Sequence, residues 1–454
     1  MFFYPLFYST NLMPGDLGDA RFVNYILEHG YLWLTQTEIH KYFWDMPFFY
    51  PYKNTLAFSD MFIGGMFIYV PLRFLIKSPQ TALQIWFIIL SVLNFLSCYL
   101  FMIKVLKVKS LPASVAAFLF AFGLPRHVQI GHYQLYLQFF MMFSLTAFFS
   151  VNQENSKLKN NILFAIGSLM FVVQLYSCFY LGWFYILGTF LAAVIGLSYP
   201  ETRKTIVKNI ITYKKELFFS AIISFALLIP LIDHYLSVGS KFGWSPEFLL
   251  RHYCLFISES KFDNMIIHNP FTKHLNGEIT VGIGYLTTIF VLIGFIFSKY
   301  RIQLLLFVGL ILYFFSNYDA NSLLYKYFPG AVAIRASGRC IFLLLPIYAA
   351  GLANFLKNTK YFAIIFAILV IFEQIPFGTG FSWTKTEHES RLKTYSLPKD
   401  CKAIYYEYKK ITPVENIDIM WFASNNNVYA ANGYSGYMPP YFKDTIPKNC
   451  VIKK

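Results

Sequence analysis

The chain reads as long apolar stretches divided by short polar punctuation. It has neither the alternation of half-buried strands nor the single helical stripe of a soluble domain. A membrane-crossing helix needs about 20 mainly apolar residues. Ten runs approach that length: 84–104, 111–125, 133–151, 162–180, 181–199, 217–236, 281–298, 302–318, 340–356 and 361–377. Residues 162–199 are too many for one crossing, so a break is predicted near Cys178 to Gly182. The opening FFYPLFYSTNL is apolar but short of a span, and is expected to be an eleventh, truncated or half-inserted helix. The fold class predicted is therefore an all-α polytopic membrane protein of about 11 transmembrane helices.

Lys and Arg orient the spans. Basic short connections recur on alternate turns: Lys104, Lys107 and Lys109; Lys157 and Lys159; Arg203, Lys204, Lys208, Lys214 and Lys215; Lys299 and Arg301; Lys357 and Lys360. The positive-inside rule assigns these to the cytoplasm. Segments 14–83, 125–132, 237–280, 319–339 and the tail from 378 then fall outside. Residues 61–77 are apolar enough to cross, but a crossing there would invert every later loop, and Pro71 and Arg73 interrupt the run. They are predicted to form a re-entrant or interfacial helix on the outer side. Two units follow: a membrane domain over 1–377, with outer loops 14–83 and 237–280, and a polar extracytoplasmic region over 378–454 that packs on it.

Composition supports lipid as the solvent: 57% of residues are hydrophobic and 13% charged, against about 25% charged in a typical soluble domain. The net charge of +15 does not point to nucleic acid, because the basic residues punctuate apolar runs and form no groove-like patch. Cys98, Cys178 and Cys340 lie in apolar runs and behave as small hydrophobes. Cys401 and Cys450 lie in the polar tail and are candidates for a disulfide if that tail is extracytoplasmic.

Four segments carry candidate chemistry. In GDLGDARFVNYILEHGYLWL, residues 15–34, Asp16 and Asp19 precede a helix with Phe22, Tyr25, Ile26 and Trp33 at helical spacing, predicted to lie along the membrane surface. Either Asp serves helix capping or catalysis equally well. In residues 42–60, an aromatic cluster of Trp44, Phe48, Phe49, Tyr50 and Tyr52 carries Asp45 and Asp60. Each is a carboxylate near lipid, suited to general base work or to an ion pair with Arg21 or Lys53. PRHVQIGHYQ, residues 125–134, offers Arg126, His127, His132 and Gln134, and a forked arginine there suits a phosphate. AIRASGRCIF, residues 333–342, sets Arg335 and Arg339 four apart on one helix face, for an anionic headgroup, a lipid pyrophosphate or a salt bridge. The turn NGYSGYMPPYF at 432–442 is read as architectural.

The succession of GDLGDARF, PFFYPYKN, a multi-span body, AIRASGR and an outer tail with NGYSGYMPP resembles bacterial membrane glycosyltransferases of the GT-C superfamily, in a poorly characterised branch. That resemblance implies a polyprenyl-phosphate-linked sugar donor, a lipid- or envelope-linked acceptor, and an active face turned outward from the cytoplasmic membrane. It also implies an acidic first-loop residue that activates the acceptor hydroxyl: Asp19, or else Asp16, with Asp60 nearby. Arg21, Arg126, His132, Gln134, Arg335 and Arg339 become candidate donor-binding residues, and a divalent metal, if used, would take Asp16, Asp19 and Asp60. The rivals are an O-antigen polymerase or ligase type of enzyme, for which Arg251 and His252 in loop 237–280 would speak, and a lipid-linked oligosaccharide flippase. A transporter would place ionisable groups near the bilayer midplane, whereas Glu373, Asp233 and His234 fall toward outer ends of runs.

Overall fold

The computed structural model describes residues 9–35, 38–243, 245, 247–248, 282–375, 382–408, 412–440 and 446–453. Six of its helices are long and apolar enough to cross a membrane: Pro79–Lys104 (α3), Ser110–Val128, Lys157–Ser177 (α7), Phe179–Ser198 (α8), Lys214–Phe242 (α10) and Ser337–Thr359. Ser110–Val128 comprises Ser110–Phe122 (α4) and the single turn Leu124–Val128 (α5), while the last span is a short 3-10 turn leading into Ile341–Thr359 (α14). A seventh crossing arises if Arg301–Ser316 (α12) and Tyr318–Tyr327 (α13), bent by 92° at their junction, count as one.

The expected eleven spans are thus not matched by eleven long helices, and the reason is length. Runs 133–151, 281–298 and 361–377 fold as Phe139–Phe149 (α6), Tyr285–Ile296 (α11) and Ala363–Glu373 (α15), of 11, 12 and 11 residues. At 1.5 Å per residue each reaches only about 18 Å. Residues 1–8 of the opening segment and 249–281 of the large loop, including Arg251 and His252, lie outside the described residues.

The break predicted in 162–199 falls at Cys178, where α7 ends and α8 begins. Residues 61–77 form Ile63–Leu75 (α2), 13 residues long and shorter than a span.

Helix Asp19–Leu34 (α1) differs from the surface helix expected. Every residue from Ala20 to Gly30 is buried, because its polar side is covered as fully as its apolar side. Glu28 accepts both prongs of Arg73 from α2, at 2.7 and 2.8 Å, and the hydroxyl of Tyr69 at 2.8 Å. Asn24 donates to Tyr69 Oη at 3.0 Å.

The C-terminal region supplies the lid over α1. Strand Leu12–Pro14 (β1) pairs antiparallel with Ser382–Thr384 (β2), Leu12 opposite Thr384. Beyond it come Lys385–Leu392 (α16), Ala403–Glu407 (β3), Pro413–Asn425 (α17), Tyr429–Ala430 (β4) and Val451–Lys453 (β5). β3 is the central strand, parallel to both neighbours. A disulfide joins Cys401 to Cys450, with Cα atoms 5.7 Å apart.

Two apolar cores result. One fills the space among α3, α4, α6, α8, α11, α12 and α14. The other unites α1, α2, the aromatic loop around Phe48 and Phe58, and the C-terminal region through Ile417, Met420 and Trp421. The tail is therefore fused to the membrane domain by shared burial, each large apolar side chain adding about 1.5–3 kcal/mol.

Candidate functional site

A cleft of about 430 Å³ opens where α1, the 59–62 loop, the 132–134 turn, the 335–339 turn and the C-terminal region meet. Its polar lining is Asp19, Ser59, His132, Gln134, Arg335, Arg339, Thr412, Asn416, Tyr434 and Ser435, against apolar Phe22, Val23, Phe62 and Met438. Five residues singled out from sequence, Asp19, His132, Gln134, Arg335 and Arg339, share this cleft despite lying up to 320 positions apart.

Asp19 is the first residue of α1, where the free backbone N–H groups favour a carboxylate. His132 Nε2 lies 3.1 Å from one of its oxygens, and Tyr434 donates to the other at 2.6 Å. Burial pushes the Asp19 carboxyl up, but the hydrogen bond and charge of His132, the Tyr434 hydroxyl and the charge of Arg339 outweigh it and bring it down to about 2. Asp19 is ionised at any working pH.

Asp16 does the capping instead: it accepts from the Ala20 N–H at 3.3 Å. Burial and the neighbouring Asp19 charge raise its carboxyl above the usual range. The turn that presents it depends on Gly15, whose φ of +87° few other residues tolerate.

Asp60 sits behind the cleft wall. Its carboxylate accepts from the Phe179 N–H at 2.6 Å, at the start of α8. Burial pushes it up to about 6, against the Phe179 N–H and the charges of Arg339 and Arg335. Those two arginines lie in an extended stretch and a 3-10 turn, not on one α-helical face as their spacing suggested. Both still reach the cleft. Arg335 Nη1 donates to the Gly436 carbonyl at 3.1 Å, and the Arg339 guanidinium lies over the Tyr180 ring, 5.0 Å from its centroid.

Two predicted arginines are elsewhere. Arg21 follows Asp19 by two positions, which turns it to the far side of α1. There, fully buried, it pairs with Asp418 at 2.8 Å and donates to His388 at 2.9 Å. Arg126, also fully buried, donates to the carbonyls of Phe120 and Leu135, each at 2.7 Å, and to Gln138 at 2.6 Å. Both guanidinium groups are consumed by protein acceptors away from the cleft lining. Asp45 pairs with Lys53 at 3.1 Å, as an ordinary ion pair would.

The three carboxylates proposed for a metal are each engaged by donors of the chain itself. Among the described residues, no group of three His, Cys, Asp or Glu side chains is arranged to hold an ion.

Sequence reasoning missed the wall contributed by Thr412, Asn416, Tyr434 and Ser435. The turn at 432–442, read as architectural, brings Tyr434 onto Asp19. The signal available was its repeated Gly-Tyr pattern, but nothing local says which carboxylate it meets.

No family model and no curated protein sequence matches the chain. Solved structures do match in fold. The archaeal oligosaccharyltransferase AglB from Archaeoglobus fulgidus, in complex with an inhibitory peptide and a dolichol-phosphate, superposes with a TM-score of 0.51 at 14% identity, over 92% of this chain and 61% of that one. The Archaeoglobus fulgidus oligosaccharyltransferase in complex with Zn and sulfate gives a TM-score of 0.50 at 14% identity, over 94% of this chain and 59% of that one. The chain thus spans about three fifths of the length of these neighbours. Identity this low speaks for architecture alone, and the architecture shared is the fold of these oligosaccharyltransferase structures.

Proposed function

We propose that the protein is a membrane glycosyltransferase that moves a sugar from a polyprenyl-phosphate or polyprenyl-pyrophosphate donor onto an acceptor hydroxyl. The acceptor would be lipid- or envelope-linked and the active face extracytoplasmic. One observation carries the reading: a carboxylate held ionised, a histidine and two arginines line a single cleft in a GT-C-like fold.

The chemistry needs that set. As the bond from the anomeric carbon to the phosphate oxygen breaks, its electron pair leaves with the phosphate, and positive character builds on the sugar. Arg335 and Arg339 would bind the departing phosphate oxygens, a role in which the guanidinium fork exceeds any other side chain. Asp19 faces the opposite demand. Held near 2, its carboxylate is a weak base, so it does not ionise a free hydroxyl. It accepts a hydrogen bond from that hydroxyl and orients it. It takes the proton only after the new carbon–oxygen bond has formed and the oxygen has become strongly acidic. His132, 3.1 Å from Asp19, stabilises the carboxylate while the acceptor approaches.

The test is transfer from a panel of polyprenyl-phosphate- and polyprenyl-pyrophosphate-linked sugars by purified protein, comparing wild type with Asp19→Asn. Transfer should fall at least about 100-fold in the variant with donor binding retained. Undiminished transfer would remove Asp19 from the mechanism, and movement of donor across the bilayer without transfer would favour a flippase.

A further inference from the structure

The helix Pro200–Thr212 (α9) joins two spanning helices, and its position follows from their ends. α8 starts at the cleft, where Asp60 accepts from Phe179 N–H, and its 20 residues carry the chain about 30 Å away. α10 then returns: near its end Tyr235 donates to the carbonyl of Ser59 and His234 lies against Asn54. α9 therefore lies at the membrane face opposite the cleft.

Its surface is two-sided. No residue of α9 is buried. Val207, Ile210 and Ile211 are 42, 51 and 63% exposed. With Ile206, which packs toward Gly196 of α8, they occupy one continuous arc at helical spacing. Lys204 and Lys208 border that arc, Arg203 precedes it, and Lys214 and Lys215 follow at the entry to α10, all exposed. Lys299 and Arg301 extend the patch from the neighbouring turn, where Lys299 feels the charge of Glu201. Seven cations thus face Glu201 and Glu216, and none of the seven appears in an ion pair among the described residues. Exposed branched aliphatics flanked by long basic side chains suit the boundary between acyl chains and headgroups, where lysine and arginine stems lie in apolar surroundings while their ends reach phosphates.

We propose that α9 and the adjoining basic turn form a docking surface for anionic phospholipid headgroups in the leaflet opposite the cleft, enriching such lipids around the α8–α10 connection. The surface is separate from the transfer site and does not depend on it. Its occupant is the lipid surface because α9 is tied at both ends to spanning helices, which hold its apolar arc at bilayer depth, and because an excess of cations over Glu201 and Glu216 selects negative headgroups.

The test uses the full chain in lipid nanodiscs of phosphatidylcholine and phosphatidylglycerol, with a fluorophore attached at Ile211→Cys and quenched by brominated forms of either lipid. Phosphatidylglycerol should be enriched over phosphatidylcholine at the probe in wild type. The charge-neutral triple variant Arg203→Gln, Lys204→Gln, Lys208→Gln should lower the relative affinity by about 100-fold at low salt, whereas Lys204→Arg with Lys208→Arg should preserve it. A second probe at exposed Leu236→Cys, near the cleft end of α10, should report no change in the triple variant and so shows that the protein is intact. Equal quenching by both lipids in wild type, or enrichment that survives in the triple variant, overturns the proposal.

Discussion

At the scale of single residues, the candidate site turns on what holds Asp19. The Tyr434 hydroxyl is one of the groups that depress its carboxyl. Tyr434→Phe should let that carboxyl rise from about 2 toward its ordinary value, moving the acid limb of a transfer-against-pH profile to higher pH. A profile that does not move would detach Tyr434 from Asp19. Asp418 presents a different case. It neutralises Arg21 at 2.8 Å and also accepts both prongs of Arg391, and it is buried with Arg21. Asp418→Asn should cost about 3–5 kcal/mol, because a fully buried guanidinium loses its counter-charge. Thermal unfolding of the purified protein reads this directly. The same helix thus turns one carboxylate, Asp19, into the cleft and, two residues on, buries Arg21 against Asp418. Sequence alone could not separate them, since both lie in GDLGDARF and only the direction of each around α1 assigns its partners.

At the scale of elements, the segment before α2 and the C-terminal region are joined by polar contacts that impose conditions. His29 and His40 face each other with Nδ1 atoms 2.8 Å apart, and His40 Nε2 reaches Ser424 of α17 at 2.9 Å. One proton must be shared between the facing nitrogens, so the two rings cannot both be protonated in the folded pair. Burial holds His29 down to about 4, and burial with the His29 charge holds His40 well below its usual value. Both folded values lie below the unfolded one, so the stabilisation is complete above about 6.5. It is lost as pH falls toward and through 4, because the unfolded chain takes up protons the folded one refuses. Melting temperature should drop across that window in wild type and drop less in His40→Gln. The Cys401–Cys450 disulfide closes a separation of 49 residues, worth about 4 kcal/mol on the loop-entropy account. Cys401→Ser with Cys450→Ser should make the region beyond residue 382 cleavable by protease at lower temperature, leaving the spanning helices protected.

At the scale of the molecule, the long apolar runs, their break at Cys178 and a helix too short to span at Ile63–Leu75 were legible from run length, although Pro71 and Arg73, expected to interrupt that helix, lie inside it. The number of crossings was not. Run length counts apolar residues, whereas α6, α11 and α15 end early where the chain turns to fill space. Glu373 shows the cause: its carboxylate accepts from the N–H groups of Leu286 and Thr287, so the end of α15 caps the start of α11. Five cleft residues were legible as chemistry-bearing motifs, but the fourth wall was not, since Thr412, Tyr434 and Ser435 acquire meaning only by long-range packing.

The Tyr434–Asp19 hydrogen bond joins positions 415 apart, which gives the order of synthesis a meaning. A growing chain whose apolar helices up to Glu373 are already in the bilayer still lacks one side of the cleft, and Asp19 remains without one of the groups that hold its charge. Synthesis must pass residue 434 before that side of the cleft exists, so a copy that stops earlier in the membrane has no assembled pocket.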